Sequence, residues 1–588
     1  MNTISWKDSK ILRVLFWISV VWFFYGFTLF FDFFVFDDGV HIWDNVFTGV
    51  RTPEDLFFYW KFSLTPVIFF VWQLVSLVFT NQEAAPFRAL NLLLMGGCSY
   101  LVYDLSKNYL KILSKNHDPI ERILPYLVTL FFILHPAQVE SVVWVSSART
   151  LLATLCALLS LKSLSLVENE DDFSKYTFLT VFFFVLGILS KPSIVTLPVL
   201  MVAILTIKGR SLKQSLIGLW PILLVGLVMG FLHVSEVFTP YLKSLSYADR
   251  SIIVLDSVTQ YFKILFLPFI QSFDYARNPA KVVFEWESNK ILFMLTPLLI
   301  ISSLVAGLFV ERLKKWALAM IGFYALLLPN MGFIYYDFQN ISTSSSRYLH
   351  LPLVIISFAL IPLGLFILEK WKNNKKVLLT LSFVPLFIMA VCNFNYSRLW
   401  KNSLDVLSYS RSVTGPTYAL SMSMGSLYYR FGHYQLAEKS FLEAWELEPS
   451  AYGPISSLID LYQLYKFPGK IDSFLSKVIE RKIIITPDKS LDIAKLFDDI
   501  EDFYNAKYYA GIAFKMNVNK EESQQLYQRS TENLVRAKVK HFIFIIKDFE
   551  KNKKFNEAKD LLKKAFIEYP NSSELVKLSH ELFESEHE

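Results

Sequence analysis

The sequence predicts an all-α protein, a polytopic membrane helix bundle of about eleven spans followed by an α-solenoid of helical repeats. Three observations carry this. The 588 residues are 53% hydrophobic, with a mean hydropathy of +0.38 and only 19% charged residues, a balance foreign to ordinary soluble domains. Apolar residues concentrate before about Trp400 and charged ones after it. The tail shows in two registers a spacing of small and aromatic residues that marks paired-helix repeats. Residues 1–400 are therefore expected to form an integral membrane domain and residues 401–588 an extracytoplasmic repeat domain. The net charge of +6 comes from cations gathered in short loops between spans. That reads as a topology signal, and no nucleic-acid partner is expected.

Lys7, Lys10 and Arg13 precede the first apolar run, Ile11 to Phe31, and no small-residue cleavage site follows. The run reads as an uncleaved signal anchor. Further spans are expected at Phe87 to Leu105, Ile123 to Leu134, Val142 to Leu166, Tyr176 to Ser190 and Ile194 to Ile207. The remainder are Leu216 to His233, Ile291 to Val310, Trp316 to Ile334, Leu351 to Leu368 and Val377 to Val391. Pro66 and Gln73 interrupt Leu64 to Phe79, which reads as a re-entrant or interfacial helix. Cations in the loops at Lys107 to Arg122, Lys208 to Lys213, Arg312 to Lys315 and Lys370 to Lys376 agree with a cytoplasmic N-terminus. The loop Glu168 to Asp172 is acidic and uninformative. Two long outer segments, Asp32 to Pro86 and Val234 to Asn289, are expected to lie on the membrane face as short helices. Cys98, Cys156 and Cys392 all fall in or beside apolar runs, so there is no disulfide framework.

Counted from Tyr418, the tail places Gly425 at position eight, Tyr428 at eleven, Ala437 at twenty, Phe441 at twenty-four, Ala444 at twenty-seven and Pro449 at thirty-two. This is the tetratricopeptide pattern, in which small residues let two helices approach and the proline ends the second. A second register gives Phe549, Ala558, Leu562, Ala565 and Pro570. Such repeats bind peptides or pack on their own membrane domain.

Ionisable residues at the ends of spans are costly and therefore mark candidate sites. Asp37 and Asp38 follow the first span. His135 and Glu140 flank the end of the third, Arg149 lies within the fourth, Lys191 sits between the fifth and sixth, and Arg347-Tyr348 precedes the tenth. All map to the outer face. Taken singly, His135 reads equally as a helix cap, Glu140 and Arg149 as an ion pair, Lys191 as a snorkelling cation and Arg347 as a boundary anchor. Taken jointly, cations suit a phosphate and a carboxylate suits a hydroxyl nucleophile.

The chain resembles the transmembrane and tetratricopeptide-repeat-containing O-mannosyltransferases and their bacterial relatives, of the C-type glycosyltransferase superfamily. The resemblance rests on Phe36-Asp-Asp, Phe87-Arg-Ala-Leu-Asn-Leu-Leu-Leu and His135-Pro-Ala-Gln-Val-Glu-Ser-Val-Val-Trp-Val. It also rests on Tyr261-Phe-Lys-Ile-Leu-Phe-Leu-Pro leading to Phe273-Asp-Tyr, and on Arg347-Tyr-Leu-His-Leu-Pro. The chain departs from the family pattern at Gln138, Thr150 and Pro192. The resemblance implies a C-type glycosyltransferase fold and transfer of a mannose-like hexose from a polyprenyl-phosphate carrier to a hydroxyl acceptor, on protein, with inversion. Arg149, Lys191, Arg347 and Tyr348 would hold the donor phosphate, with His135 and Glu140 shaping the site. Asp37 and Asp38 would supply the base, with Asp38 slightly favoured and its neighbour orienting it or assisting a divalent cation, Mg or Mn.

Two rival functions fit the same residues: a transferase of the superfamily that modifies a glycan or lipid, and an inactive scaffold recruiting partners through its repeats. A transporter fits less well, because the charges gather at one face and not at the bilayer midplane. Lys- and Phe-rich composition favours a bacterial inner membrane with periplasmic repeats. Asn-x-Ser sequons at Asn340, Asn395 and Asn571 admit an endoplasmic reticulum membrane with lumenal repeats.

Overall fold

The computed structural model describes residues 10–45, 48–49, 55–56, 59–60, 63–114, 118–166, 173–236, 245–288, 290–310, 313–333, 337–449, 451–464, 473–474, 477, 487–499, 501–552 and 554–585. Lys7, Arg312, the Glu168 to Asp172 loop and parts of the two outer segments lie outside them. Among the described residues every regular element is helical and none is a strand. The chain divides into two compact units, Met1–Leu427 and Tyr428–Glu588.

Among the described residues of the first unit, four helices are long and apolar enough to cross a membrane: Lys10–Phe30, Val145–Ser165, Pro352–Lys370 and Lys372–Leu399. Two bent pairs bring the number to six if each is one span. They are Glu121–Leu134 with Pro136–Val143, bent by 56°, and Leu212–Gly218 with Trp220–Leu232, bent by 69°. Five shorter apolar helices accompany them, among them Pro66–Val78. Its 13 residues extend about 20 Å at 1.5 Å per residue, short of the hydrocarbon thickness. Phe23, Leu227, Phe309 and Phe387 project outward. A surface of that kind is at home against hydrocarbon.

The Ala84–Leu113 helix is the axis of this unit. It packs on Lys10–Tyr25, on Ala148–Ser165 and on Leu124–Leu134. Gly96 lets the first of these come close, since a Cβ there would lie 2.9 Å from the Ile18 Cα. Leu124, Val128, Ile361 and Leu368 pack around Leu110 towards the C-terminal end of the same helix. At one end of the bundle Lys162 pairs with Asp104 at 2.5 Å, and Lys375 pairs with Asp118.

Chain breaks between helices put polar residues inside. After Leu134 the helix stops at His135-Pro136, since proline cannot donate to the ladder. His135 Nδ1 accepts the Ala137 N–H at 3.2 Å, and its other ring nitrogen meets the Leu265 carbonyl at 3.1 Å. The segment Val234 to Asn289, expected on the outer face, holds helices Tyr247–Phe266 and Pro279–Ser288. They are joined by Arg277, which grips Asp256 with two nitrogens at 2.6 and 3.0 Å and also pairs with Glu285.

In the second unit the Lys520–Lys551 helix packs on Phe555–Glu568 and Ser573–Ser585. Ala558, Leu562 and Ala565 are buried in that cluster with Val539, Ile546, Leu575 and Leu578, and Phe549 packs against it. Ala437, Phe441 and Ala444 of the Tyr434–Leu447 helix are likewise buried. The small and aromatic positions of both registers thus point inward, and Gly432 takes the left-handed turn (φ 75°) before Tyr434–Leu447.

Candidate functional site

The site is built where five separated stretches of the first unit meet: the 31–43 segment after the first span, the 135–150 bend, Lys191, Phe273 and the 342–350 segment. Aromatic rings weld them together. Phe34 lies 5.0 Å from Phe273, 5.0 Å from Trp400 and 5.5 Å from Trp144, and Phe36 lies 5.2 Å from Phe273. The acidic pair rides on this aromatic base.

The two aspartates have different environments. Asp38 is fully buried and its carboxylate is occupied. One oxygen accepts the Phe34 N–H at 2.9 Å, and the other accepts the Ser146 N–H at 2.8 Å and the Ser146 hydroxyl at 2.6 Å. Burial raises its pKa to about 6, opposed by those hydrogen bonds and by the Arg88 charge. Asp37 is half-buried and makes no hydrogen bond or ion pair among the described residues. It is the strongest single charge acting on Arg149. This reverses the expected preference for Asp38 as base, because a carboxylate that holds two loops together is not free to take a proton from a ligand.

Nor do the aspartates suit a metal. Asp38 spends both oxygens on protein donors, and among the described residues no group of three His, Cys, Asp or Glu side chains could hold an ion. Asp38, expected to share a divalent cation with Asp37, is instead engaged by Phe34 and Ser146.

The three cations do converge. Lys191 lies within electrostatic reach of both Arg347 and Arg149. Its ammonium donates to Thr150 Oγ1 at 2.8 Å and sits 4.8 Å from the Tyr348 ring, with no carboxylate partner among the described residues. Arg149 likewise has none. One of its guanidinium nitrogens lies within 3.0 Å of both His41 ring nitrogens, the group faces Trp72, and its buried Nε has no partner. Burial and the Arg149 charge push the His41 pKa down to about 2, so His41 stays neutral.

Arg347 alone is paired. It lies 3.6 Å from Glu140, donates to Ser345 Oγ at 2.6 Å and to the Tyr348 hydroxyl at 3.2 Å, and stacks 3.9 Å from the Phe338 ring. Glu140, fully buried, also accepts from Ser345 Oγ at 2.8 Å and from the Tyr396 hydroxyl at 3.3 Å. Glu140 therefore pairs with Arg347 and not with Arg149, the partner suggested by sequence proximity. His135 acts as the cap described above and contributes no group to the cation cluster. Gln138 meets His350 Nδ1 through its side-chain oxygen.

Sequence reasoning assigned no role to His41, Trp72, Ser146, Arg88 and Asn91. Arg88 had a signal, an arginine inside an apolar run. Ser146 had none, because its value lies in where the 135–150 bend delivers it. No protein-family model matches the chain, and a comparison with characterised proteins returns no match.

Proposed function

We propose that the chain is an inverting membrane glycosyltransferase that moves a mannose-like hexose from a polyprenyl-phosphate donor to a hydroxyl acceptor on protein at the outer membrane face. The observation that carries this reading is the convergence of Arg149, Lys191 and Arg347 beside one open carboxylate, Asp37, with only Arg347 bonded to an acid. Buried cations without counter-charges favour an anionic ligand, and a phosphate presents the acceptor oxygens their N–H groups lack.

In the reaction Asp37 takes the proton from the acceptor hydroxyl. The oxygen attacks the anomeric carbon opposite the phosphate, the carbon–oxygen bond to phosphate breaks, and the electron pair leaves with the carrier. Fixed cations at the leaving oxygen stabilise the charge that grows there. Tyr348, stacked under Lys191 and bonded to Arg347, keeps those two cations in register. About eleven crossings, a bacterial inner membrane and periplasmic tetratricopeptide repeats that bind polypeptide complete the proposal.

The test uses the full chain in nanodiscs with radiolabelled polyprenyl-phosphate hexoses and separated protein, glycan and lipid acceptors. Label should enter the protein fraction and require Asp37. Label in glycan or lipid alone would reassign the acceptor. Absence of both transfer and polyprenyl-phosphate binding would overturn the enzyme reading in favour of a scaffold.

A further inference from the structure

Arg88 lies in the Ala84–Leu113 helix, is 1% exposed, and is bonded to no carboxylate among the described residues. Its guanidinium instead donates to three backbone carbonyls: Nε to Phe31 at 3.2 Å, one terminal nitrogen to Asp32, and the other to Val143. One helical turn on, Asn91 Nδ2 donates to the carbonyls of Val142 at 3.1 Å and Trp144 at 2.9 Å. The same helix face therefore holds the start of the acidic segment and the bend that carries Ser146 to Asp38.

We infer that Arg88 is a positioning residue that fixes Asp37 relative to the cation cluster by clamping the carbonyls of Phe31, Asp32 and Val143; this rests on the transfer reaction proposed above. Irregular backbone buried in a membrane protein must have its polar groups satisfied. The 31–38 segment has little helix of its own to do so. Arginine suits the task because its planar fork reaches three acceptors at fixed angles, whereas lysine presents a compact point charge. Asp38 feels the Arg88 charge but bonds to Ser146 and Phe34, so the clamp acts on the loop and not by pairing with the acid.

The test compares Arg88→Lys, which keeps the charge, with Arg88→Met, which keeps only the bulk. A spin label at Val40→Cys, 71% exposed on the same segment, reports loop order in a Cys392→Ser background. Both Arg88 variants should free the label. Both should lower kcat roughly a hundredfold, the scale of a misplacement near 1 Å, and change KM for the donor far less, because Asn91 still holds the bend that leads to Arg149. An unmoved label, full activity in Arg88→Lys, or a loss confined to KM would each overturn the clamp. If the unaltered protein transfers no sugar, the label arm still decides the clamp, and only the proposed reaction falls.

Discussion

Replacing Asp37 and Asp38 one at a time by Asn separates the acid that does chemistry from the acid that holds the fold. Asp38 receives three donors, and an amide offers one acceptor oxygen and two N–H groups, so at least one donor is left facing another. That loss costs about 1–3 kcal/mol. An opposing effect is of similar size. Asp38 gives up its proton near 3.8 when unfolded and at about 6 when folded, a rise of roughly two units or about 3 kcal/mol. The carboxyl's contribution to stability is thus fully present below pH 3.8 and lost as pH climbs through 6. Asp38→Asn should therefore change stability little at neutral pH yet abolish that gain on acidification. Melting curves in nanodiscs between pH 7.5 and 4.5 should diverge, with the unaltered protein stabilised towards acid. Asp37→Asn should remove no hydrogen bond from the fold while transfer falls roughly 10²–10⁴-fold. Parallel melting curves for Asp38→Asn, or undiminished transfer in Asp37→Asn, would refute the division of labour.

Glu140→Ala should destabilise the first unit by about 3–5 kcal/mol, because Arg347 stays buried without its counter-charge; thermal denaturation checks this. Gly96→Ala should cost about 1–3 kcal/mol by pressing a methyl against the Ile18 backbone, and a melting temperature unchanged within error would contradict the close crossing. Lys191→Met should weaken polyprenyl-phosphate binding roughly tenfold or more, on the scale of one charge-assisted hydrogen bond, without lowering the melting temperature. Fluorescent-lipid titration measures the first effect and calorimetry the second.

Hydropathy located apolar stretches that are helical, because apolarity is a local property, but among the described residues only four helices, or six with the bent pairs, are long and apolar enough to cross where about eleven were expected. It did not register the short Pro136–Val143 helix that follows the expected end at Leu134 at 56°, nor the 69° bend after Gly218 inside the expected Leu216 to His233 run. Charge at span ends singled out Arg149, Lys191 and Arg347, since an ionisable group in an apolar run is conspicuous wherever its partner lies. Which partner it takes is a long-range fact. Glu140 chose Arg347, 207 positions away, over nearby Arg149. The difference between Asp37 and Asp38 was illegible for the same reason. Adjacent residues share every local signal, and only the arrival of Ser146 from 108 positions away distinguishes them.

Three positive side chains crowded around one spot, two of them bonded to no acid among the described residues, push one another apart. Any anion that settles among them should knit the bundle together as well as occupy it, so ligand affinity and resistance to unfolding become a single equilibrium. The choice of solubilising medium then matters. Preparations in zwitterionic detergent would understate the hardiness of this protein, and phosphate or acidic amphiphiles in the buffer would restore it.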